Sequence, residues 1–338
     1  MTLADGAWSW LRPPPGGLTI AAMGVALVVD RLWGEPPARW HPVVWMGRAL
    51  DWAGCRAAPV PAAAPLGFDL RAWSLGFASW WALALLCMGL AVLTQAGLLA
   101  SEAHPVVQAL VLGLLLKPLF AWRMLNDEVQ AVELALQQSL AHGRERLSWL
   151  VSRDVSQLSA EQVRESAIES LAENFNDSVV APLCWFMVAG LPGAALFRLA
   201  NTADAMWGYP GERNGRVWTW AGQWAARADD ALGWLPARLT ACWLWPAALY
   251  PRGGFANFRQ LAKEARRTPS PNSGWPMAAV ALRLGVRLGK PGVYVLNANG
   301  QVPDSGVVLN TLNLSQKKAL SLILIGVFAL VFGYFFAN

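Results

Sequence analysis

Long apolar runs, separated by polar stretches, set the pattern of this chain. The run from Ala72 to Ala100 contains no charged residue, and neither does the run from Ala319 to Ala337. A helix of about 20 apolar residues crosses the roughly 30 Å hydrocarbon layer of a bilayer. The pattern therefore predicts an all-α polytopic membrane protein.

Four weaker apolar segments carry interruptions. The segment at about Leu18 to Val29 is short. The others run from Pro105 to Leu125, which contains Lys117, from Val179 to Leu199, which contains Pro192 and Gly193, and from Ala231 to Pro251, which contains Pro236, Arg238 and Pro246. Such segments can be tilted, re-entrant or buried inside the protein. We therefore expect about four to six transmembrane helices, with the segments 179–199 and 231–251 broken, embedded or re-entrant.

The positions of Lys and Arg favour one arrangement of these segments. Lysine and arginine in short loops accumulate on the cytoplasmic side of a membrane. If residues 179–199 and 231–251 do not cross, nearly all Lys and Arg outside the spans share one side, with Arg12 alone opposite. Six crossings give a less lopsided division, so we favour four, with a cytoplasmic region of helices and loops. The chain would form a single integral membrane domain, residues 1–338, with N-terminal spans at 17–125, a motif-bearing region at 126–318 and a C-terminal span at 319–337.

The composition agrees with a membrane location and excludes several other classes. Charged residues make up 14% of the chain, against about a quarter in soluble domains, and tryptophan, of which there are 20, favours the membrane interface. The net charge of +5 is scattered among apolar segments, so it does not indicate nucleic-acid binding. The cysteines and histidines are too dispersed for a disulfide framework or a zinc site. We interpret the first apolar segment as retained, because no small-residue cleavage site follows it.

The region from Gln130 to Asp177 has apolar residues at helical spacing. Within it, residues 159–162 have the pattern of a capping box that opens a new helix. Residues 297–314 are rich in Asn, Gly, Pro and Asp, which predicts a turn-rich connector before the last span. No stretch predicts a β-sheet domain.

Carboxylates recur at every fourth residue of this region and share one helical face: Glu161, Glu165, Glu169, Glu173 and Asp177. Like charges at this spacing repel, so we expect a compensating group. A hard cation such as Mg²⁺, held by one or two carboxylates with water and phosphate oxygens, would suit the members nearest the apolar segment. A solvated helix face, helped by Arg164, is the alternative for Glu161 and Glu165.

Polar residues also flank the two interrupted segments. Asn201 and Asp204 lie one turn apart after the first, and polar groups beside hydrocarbon are candidates for function by default. A helix C-terminus that ends at Gly208 is the alternative. The start of the second segment is bracketed by Arg227, Asp229, Asp230 and Arg238. These charges either satisfy one another or bind phosphates and carboxylates, which arginine holds through paired hydrogen bonds.

The segment from Lys263 to Pro276 joins a basic helix end to a loop of Pro, Ser, Asn and Gly. Exposed backbone N–H groups beside three cations would form an anion-binding cradle. The segment lacks the GxxxxGK[ST] pattern of a P-loop. A basic helix at the membrane surface is the alternative.

Ordered motifs between Val29 and Gly292 together resemble the membrane-bound CobD/CbiB family of cobalamin biosynthesis, the adenosylcobinamide-phosphate synthases. The resemblance is carried by residues 30–36 (DRLWGEP), His41-Pro42, Gly47-Arg48, Arg153-Asp154, residues 169–174 (ESLAEN), Asp177, Ala181-Pro182, Asn201-Thr202, Asp204, Gly208-Tyr209, Ala226-Arg227, Asp229-Asp230, residues 236–240 (PARLT), residues 269–272 (PSPN) and residues 274–276 (GWP). The chain departs from the family pattern at Ser178, Ala205, Pro210 and Asn214, where the family usually has Gly, Ser, Lys and an aromatic residue.

The resemblance implies an ATP-dependent amide ligation. The free propionate of adenosylcobyric acid, a corrinoid that contains cobalt, would be joined to (R)-1-amino-2-propanol or its O-phosphate. The product would be adenosylcobinamide or its phosphate, on the route to vitamin B12. ATP would phosphorylate the propionate, with Mg²⁺ as cofactor, before the amine attacks. The implied location is the bacterial cytoplasmic (inner) membrane, with the active-site face cytoplasmic.

The resemblance, read with the charges above, also implies roles for individual residues. The candidates for catalysis are Glu169, Glu173, Asp229, Asp230 and Arg238. The candidates for binding ATP and its phosphates are Arg227, Arg266, Arg267, Ser270 and Asn272. The candidate metal ligands are Glu173, Asp177 and Asp204, with Glu169 beside them. The candidates for substrate binding are Asp30, His41, Arg48, Asn174, Asn201, Tyr209 and Trp275.

A non-catalytic corrinoid-binding, transport or sensor protein on the same scaffold is the competing interpretation. Polar residues beside broken spans also occur in transporters, but alternating access usually leaves two similar halves, and this sequence shows none. A sensor would be expected to lose the acidic and Arg positions, which are present here. We therefore favour an enzyme whose partners are its two substrates and the lipid bilayer, without nucleic acid. Association with a second copy or with other enzymes of the pathway is left open.

Overall fold

The computed structural model describes residues 14–64, 67–245 and 258–336, with side chains as far as residue 324. The C-terminal part of the predicted 231–251 segment, beyond residue 245, and the last residue of the predicted 319–337 span lie outside the described residues. So does most of the Pro-rich opening before Leu18.

Helices account for nearly all the regular structure of the described chain, which confirms the predicted all-α class. They are α1 (Gly16–Trp33), α2 (Pro42–Ala57), α3 (Leu70–Leu99), α4 (Pro105–Leu116), α5 (Trp122–Gln138), α6 (Leu140–Leu147), α7 (Ala160–Phe175), α8 (Ala181–Trp207), α9 (Gln223–Leu244), α10 (Phe258–Ala265), α11 (Gly274–Leu284) and α12 (Ser305–Phe336). Two small antiparallel hairpins join β1 (Glu212–Arg213) to β2 (Arg216–Val217) and β3 (Leu288–Lys290) to β4 (Tyr294–Leu296).

The described helices include segments long and apolar enough to cross a membrane. By length and composition these are Gly16–Trp33, Leu70–Leu99, Pro105–Gln138 and Ala160–Trp207. Helix α12 covers the predicted C-terminal span as far as Phe336. The chain is therefore a polytopic membrane protein, and the number of its crossings stays a prediction.

The chain divides into two compact units. The first comprises Met1–Phe120, Ala181–Gly233 and Leu322–Asn338, and the second comprises Ala121–Val180 and Trp234–Ser321. The single integral membrane domain expected from the sequence stays a prediction.

In the first unit, α1 and α4 pack side by side and run in the same direction. Gly113 of α4 lies against Val25 of α1, and Lys117, directly after α4, reaches Asp30 in the last turns of α1 at 2.9 Å. These two contacts follow in the same order along both helices. The helices are therefore parallel and end at the same side of the unit. This arrangement places the polar ends of two spans together.

Helix α8 is interrupted in the middle of its apolar segment. Gly190 has φ +66°, outside the helical region, and the side chain of Gln95 from α3 accepts a hydrogen bond from the N–H of Leu191 at 2.8 Å. A break exposes backbone N–H groups that water cannot reach inside a bilayer, and a neighbouring polar side chain satisfies one of them here. The predicted break in this segment is therefore confirmed.

In the second unit, α5, α6, α11 and the β3–β4 hairpin pack around α7. The capping box at residues 159–162 is present, because the Ser159 hydroxyl accepts from the N–H of Gln162 and the Gln162 side chain accepts from the N–H of Ser159. This confirms the predicted start of α7.

Two expectations about this unit need correction. The helical region predicted from Gln130 to Asp177 is interrupted, because α6 ends at Leu147 and α7 starts at Ala160. The connector predicted over residues 297–314 is shorter, because α12 already begins at Ser305. There the side chain of Asp304 accepts from the N–H of Val307 at 2.9 Å and caps the helix. This cap allows α12 to begin within a segment whose composition predicts turns.

Candidate functional site

A buried lysine joins two carboxylates at the end of α1, in the first unit. Lys117 Nζ lies 2.9 Å from Asp30 Oδ1 and 2.8 Å from Glu35 Oε1, and it donates to the backbone oxygen of Phe120 at 3.5 Å. Lys117 is 3% exposed and Asp30 is 0% exposed. The buried ammonium group is thus paired with two carboxylates, as a buried charge requires.

Glu35 connects this cluster to His41. Glu35 Oε2 lies 3.0 Å from His41 Nε2, while His41 Nδ1 accepts from the N–H of Val43 at 3.2 Å and so caps α2. A nitrogen that accepts carries no proton, so these contacts assign the neutral tautomer in which Nε2–H donates to Glu35. Burial alone would raise the pKa of Glu35, but its hydrogen bonds with His41 and Lys117 and the charge of Lys117 together lower it.

Three residues predicted to bind substrate, Asp30, His41 and Arg48, lie in or near this cluster. Asp30 and His41 are joined through Lys117 and Glu35, and Arg48 is exposed on α2. Both ring nitrogens of His41 are engaged within the protein. The substrate-binding roles of these three residues stay predictions.

A second polar group of the first unit lies where α8 ends and α9 begins. Asn201 Nδ2 donates to Asp229 Oδ1 at 3.3 Å, and Asp204 and Asp230 interact electrostatically. Burial raises the pKa of Asp230. Helix α8 ends at Trp207, with the N–H of Gly208 bonded to the Asp204 carbonyl at 2.7 Å, so the helix C-terminus considered as an alternative is present. The fold therefore brings these four polar residues together at a helix end.

Two further predicted residues of the first unit take part in contacts between a cation and an aromatic ring. Tyr209 supplies a ring, and Arg227 supplies a cation. The guanidinium of Arg213 lies 3.8 Å from the centroid of the Tyr209 ring, and that of Arg227 lies 5.9 Å from the Trp224 ring. Among the described residues, no carboxylate lies within 4 Å of the Arg227 guanidinium. The predicted mutual pairing of the charges around residue 230 is therefore not seen for Arg227.

In the second unit, distant partners compensate the acidic stripe of α7. Arg287 donates two hydrogen bonds to Glu165 Oε1, at 3.0 and 2.8 Å, and Glu165 is 2% exposed. Arg164 pairs instead with Glu133 of α5 at 2.9 Å. The solvated face helped by Arg164 was thus the wrong alternative for Glu165, because the β3–β4 hairpin covers this carboxylate.

Glu169 lies in the most enclosed part of the stripe. It is 4% exposed, lies 3.5 Å from Arg153 Nη2, and interacts electrostatically with Tyr294. Burial and the Glu169 charge raise the pKa of Tyr294, so the phenol stays protonated, and its hydroxyl donates to Met277 Sδ at 3.8 Å. Within the part of the chain that the structure describes, Glu169 Oε1 is buried without a hydrogen-bond partner. Glu173 lies close enough to Tyr294 to add to its pKa shift.

The last member of the stripe reaches α9 through two side chains. Asn176 Nδ2 donates to Asp177 Oδ1 at 2.6 Å, and the Thr240 hydroxyl donates to Asn176 Oδ1 at 2.8 Å. One turn earlier, Asn174 Nδ2 donates to the Ser170 carbonyl at 3.0 Å. The amide of Asn176 therefore ties the end of α7 to α9.

The opposite side of α9 faces the predicted anion cradle. Residues two apart point to nearly opposite sides of a helix, so Arg238 and Thr240 have different neighbours. Arg238 donates to Asn272 Oδ1 at 2.9 Å and to the Pro271 carbonyl at 3.1 Å. Its guanidinium lies 4.4 Å from the Trp234 ring and 4.9 Å from the Trp275 ring. Arg238 thus fixes the loop to α9.

Predicted phosphate-binding residues share this loop but differ in their partners. The Ser270 hydroxyl accepts from the N–H groups of Asn272 and Ser273, each at 3.2 Å. Arg267 pairs with Glu264 at 3.0 Å. In the described part of the chain no carboxylate lies within 4 Å of Arg266, which is exposed. Of these residues, Arg266 and Ser270 line a cavity of about 520 Å³, together with Trp234, Arg238 and Trp275.

The fit of these carboxylates to Mg²⁺ can be judged from the donors present. No group of three or more His, Cys, Asp or Glu placed to hold a metal ion occurs in the described residues. Magnesium usually keeps several waters and binds through one or two carboxylates plus substrate phosphates. A carboxylate with one unused oxygen, such as that of Glu169, is compatible with this mode and not with an all-protein cage.

Sequence reasoning missed several members of these networks. Lys117 appeared only as an interruption of a span, although an ionisable residue in such a segment is by default a candidate for function. Glu35 was part of a motif without an assigned role. Tyr294 and Arg287 carried no signal, because their partners on α7 are more than a hundred residues earlier in the chain.

Comparisons with known proteins agree with the resemblance found in the sequence. A family model described as CobD/Cbib protein matches residues 23–321. A probable cobalamin biosynthesis protein CobD of Methanothermobacter thermautotrophicus is 38% identical, over 88% of this chain and 93% of its own length. A cobalamin biosynthesis protein CobD of Chromobacterium violaceum is 42% identical, over 78% of this chain and 80% of its own. One of Brucella suis is 33% identical over 92% and 99%. No solved structure matches.

Proposed function

The chain belongs to the CobD/Cbib family, and on that premise we propose that it is an ATP-dependent amide ligase of cobalamin biosynthesis. Its substrates would be adenosylcobyric acid and (R)-1-amino-2-propanol or the O-phosphate of that amine. The relatives named above are cobalamin biosynthesis proteins, which supports the pathway. The reaction itself is our proposal from the family resemblance and the chemistry of the residues.

The proposed reaction has two steps, since a carboxylate is a poor electrophile. In the first, a propionate oxygen attacks the γ-phosphorus of ATP, the bond to the bridging oxygen breaks, and ADP leaves. In the second, the free amine attacks the acyl carbon, inorganic phosphate leaves, and the nitrogen loses one proton. The enzyme must therefore bind a triphosphate, position the propionate and accept a proton.

One observation carries the proposal: a single cavity of the second unit is lined by Arg238, Arg266 and the Ser270 loop. Cations and a rigid loop are what a triphosphate needs as charge moves to its leaving group. Within this group, Arg238 already anchors the loop. We therefore assign it to holding the loop in place and Arg266 to contacting phosphate oxygens. Arg227 and Arg267 remain in their proposed phosphate-binding roles.

The proposed ligands of the magnesium that accompanies ATP are, in the second unit, Glu173 of α7 and Asp177 directly after that helix. Asp204 of α8 is the candidate ligand of the first unit. The ion, when bound, supplies positive charge that offsets the charge of the phosphates. Because Mg²⁺ takes most of its remaining ligands from phosphate and water, these carboxylates need not form a preassembled cage.

The proton released by the amine needs an acceptor, for which Asp230 is the proposed residue together with Asp229. Burial raises the pKa of Asp230, which brings it closer to neutral pH and makes it a better base. Asn201, bonded to Asp229 at 3.3 Å, would orient that carboxylate or the substrate. Glu169 and Glu173 keep their proposed catalytic roles in the second unit.

The proposed location is the bacterial cytoplasmic membrane, with the motif-bearing face in the cytoplasm. Two observations support it. The ends of α1 and α4 bring the polar cluster of Asp30, Glu35 and Lys117 to one side of the first unit. Most Lys and Arg fall in the loops predicted for that side.

A product assay tests the proposal. The full-length protein in detergent would be incubated with adenosylcobyric acid, Mg-ATP and each form of the amine, and corrinoids would be followed by mass spectrometry. The proposal expects a corrinoid heavier by one amide-linked aminopropanol, dependent on ATP and strongly reduced in Glu173→Gln. Bound corrinoid without any product would favour the binding or transport interpretation, which the break in α8 also suits.

A further inference from the structure

The cavity beside α9 is lined by aromatic rings as well as by arginines. Trp234, Phe258 and Trp275 all border it, and its volume is about 520 Å³. That is within the roughly 300–1,000 Å³ range of ligand sites. Among the described residues no Asp or Glu lines it, and Arg238 and Arg266 do, so this lining is positively charged. A planar ring and an anionic group are the chemistry that such a lining would attract.

The aromatic rings of this cavity differ in how much of their surface is exposed. The guanidinium of Arg238 lies over the Trp234 and Trp275 rings, and Trp275 is 8% exposed. Phe258 is 52% exposed, and its ring centroid lies 5.8 Å from that of Trp275, at an angle of 37°. Phe258 therefore has exposed ring surface at the cavity, whereas its neighbour Trp275 is buried.

The two arginines of the cavity also differ in their partners. Arg238 is bonded to Asn272 and Pro271. Arg266 is exposed, without a carboxylate within 4 Å among the described residues. Arg266 is thus the cation of this lining that is placed to bind an added anion. It follows α10 directly, while Phe258 begins the same helix.

The loop across the cavity is held in one conformation before any ligand binds. The Ser270 hydroxyl accepts two backbone N–H groups, the Thr268 hydroxyl donates to the Ser270 carbonyl at 3.0 Å, and Pro269 and Pro271 fix the backbone between them. A preformed wall lowers the ordering cost of binding.

From these observations we infer that the cavity binds the nucleoside end of a nucleotide, with the base stacked on Phe258 and the phosphates at Arg266. The inference rests on the proposed function, which requires ATP, and it deepens that function by placing the base. It assigns Phe258 and Trp234, which no sequence motif marked, to nucleotide recognition. Stacking on an aromatic ring does not depend on hydrogen-bonding edges, so the site would distinguish nucleotides poorly by base.

Binding measurements on the full-length protein in detergent separate the two halves of this site. ATP and inorganic tripolyphosphate would be titrated calorimetrically, in the presence of Mg²⁺, into the protein and its variants. Phe258→Ala is expected to weaken ATP binding about tenfold, which is within the range measured for loss of base stacking. It should leave tripolyphosphate binding unchanged within about twofold. Arg266→Gln should weaken both ligands.

Matched variants guard against a change in folding. Phe258→Tyr keeps a ring and should bind ATP like the parent protein, whereas Phe258→Leu keeps apolar bulk without a ring and should behave like Phe258→Ala. Trp149 is 70% exposed in the same unit and does not line the cavity. Trp149→Ala should therefore change neither affinity.

The outcomes distinguish this inference from the proposed function. If Phe258→Ala weakens ATP and tripolyphosphate equally, or neither, the base does not stack here and the inference falls, even if amide ligation is observed. If ATP binding depends on Phe258 as expected but no amide forms from the two substrates, the inference stands and the proposed ligase does not. Absence of any ATP binding to the parent protein would overturn both.

Discussion

At the scale of single residues, the main finding is how the buried charges of the spans are satisfied. Lys117 pairs with two carboxylates and donates to the Phe120 carbonyl, and Glu35 connects this cluster to His41. The sequence could predict that a lysine in an apolar segment needs partners. It could not predict which ones, because Asp30 and Glu35 lie more than 80 residues earlier and only the packing of α1 on α4 brings them near.

Removal of the lysine should destabilise the protein strongly. Lys117→Met leaves the buried Asp30 and the partly buried Glu35 without their cation, and breaking a buried pair in this way costs about 3–5 kcal/mol. Thermal unfolding in detergent, followed by tryptophan fluorescence, would measure the loss. Lys317 is exposed, so Lys317→Met is the control, and equal melting temperatures for the two variants would refute this description of the cluster.

The same cluster should make stability depend on pH in the acid range. The pKa of Glu35 is lowered from 4.5 in the fold, so its contribution is complete above that value and is lost as the pH falls through the folded pKa. The parent protein should therefore melt higher than Glu35→Gln at neutral pH, with the difference shrinking below pH 4.5. A difference that grows on acidification would show the opposite sign.

At the scale of elements, the helices were largely predictable and their partners were not. Apolar runs located α1, α3 and α4, and a four-residue pattern located the start of α7. The acidic stripe of α7 also correctly signalled that compensation was needed. The partners of the stripe come from the β3–β4 region, where Arg287 pairs with Glu165 and Tyr294 lies close to Glu169. A hairpin of a few residues with no periodic pattern gave no signal for this role.

The break in α8 leads to a prediction about Gly190. Its φ of +66° is disfavoured for other residues, and an added Cβ would clash with the Gln95 side chain that bonds Leu191. Gly190→Ala should therefore lower stability by about 1–3 kcal/mol. Melting in detergent again provides the measurement.

Gly89 offers the matched control for that substitution. It lies in α3, and an added Cβ there would meet no atom within 4 Å. Gly89→Ala should leave stability unchanged or raise it by up to about 1 kcal/mol, because alanine is the better helix former. If both alanine variants melt alike, the break at Gly190 does not have the structural role described here.

At the scale of the whole molecule, the chemistry implied by the resemblance falls into clusters within each unit. The first holds the Lys117 cluster and the Asn201–Asp229 pair. The second holds the α7 stripe and the cavity beside α9. The sequence identified most of these polar residues, since charges near apolar segments are costly. It could not distinguish residues that bind ligands from residues that stabilise the fold. Arg238 is an example, because its contacts anchor a loop.

The central claim is that the chain activates a carboxylate with ATP before an amine attacks it. Adenosylcobyric acid labelled with ¹⁸O in its free propionate tests this directly in the full-length protein, with Mg-ATP and aminopropanol. Transfer of the γ-phosphoryl group predicts that one labelled oxygen leaves with inorganic phosphate as the amide forms. Label that appears in AMP, or product that forms with no transfer of label, would contradict the account.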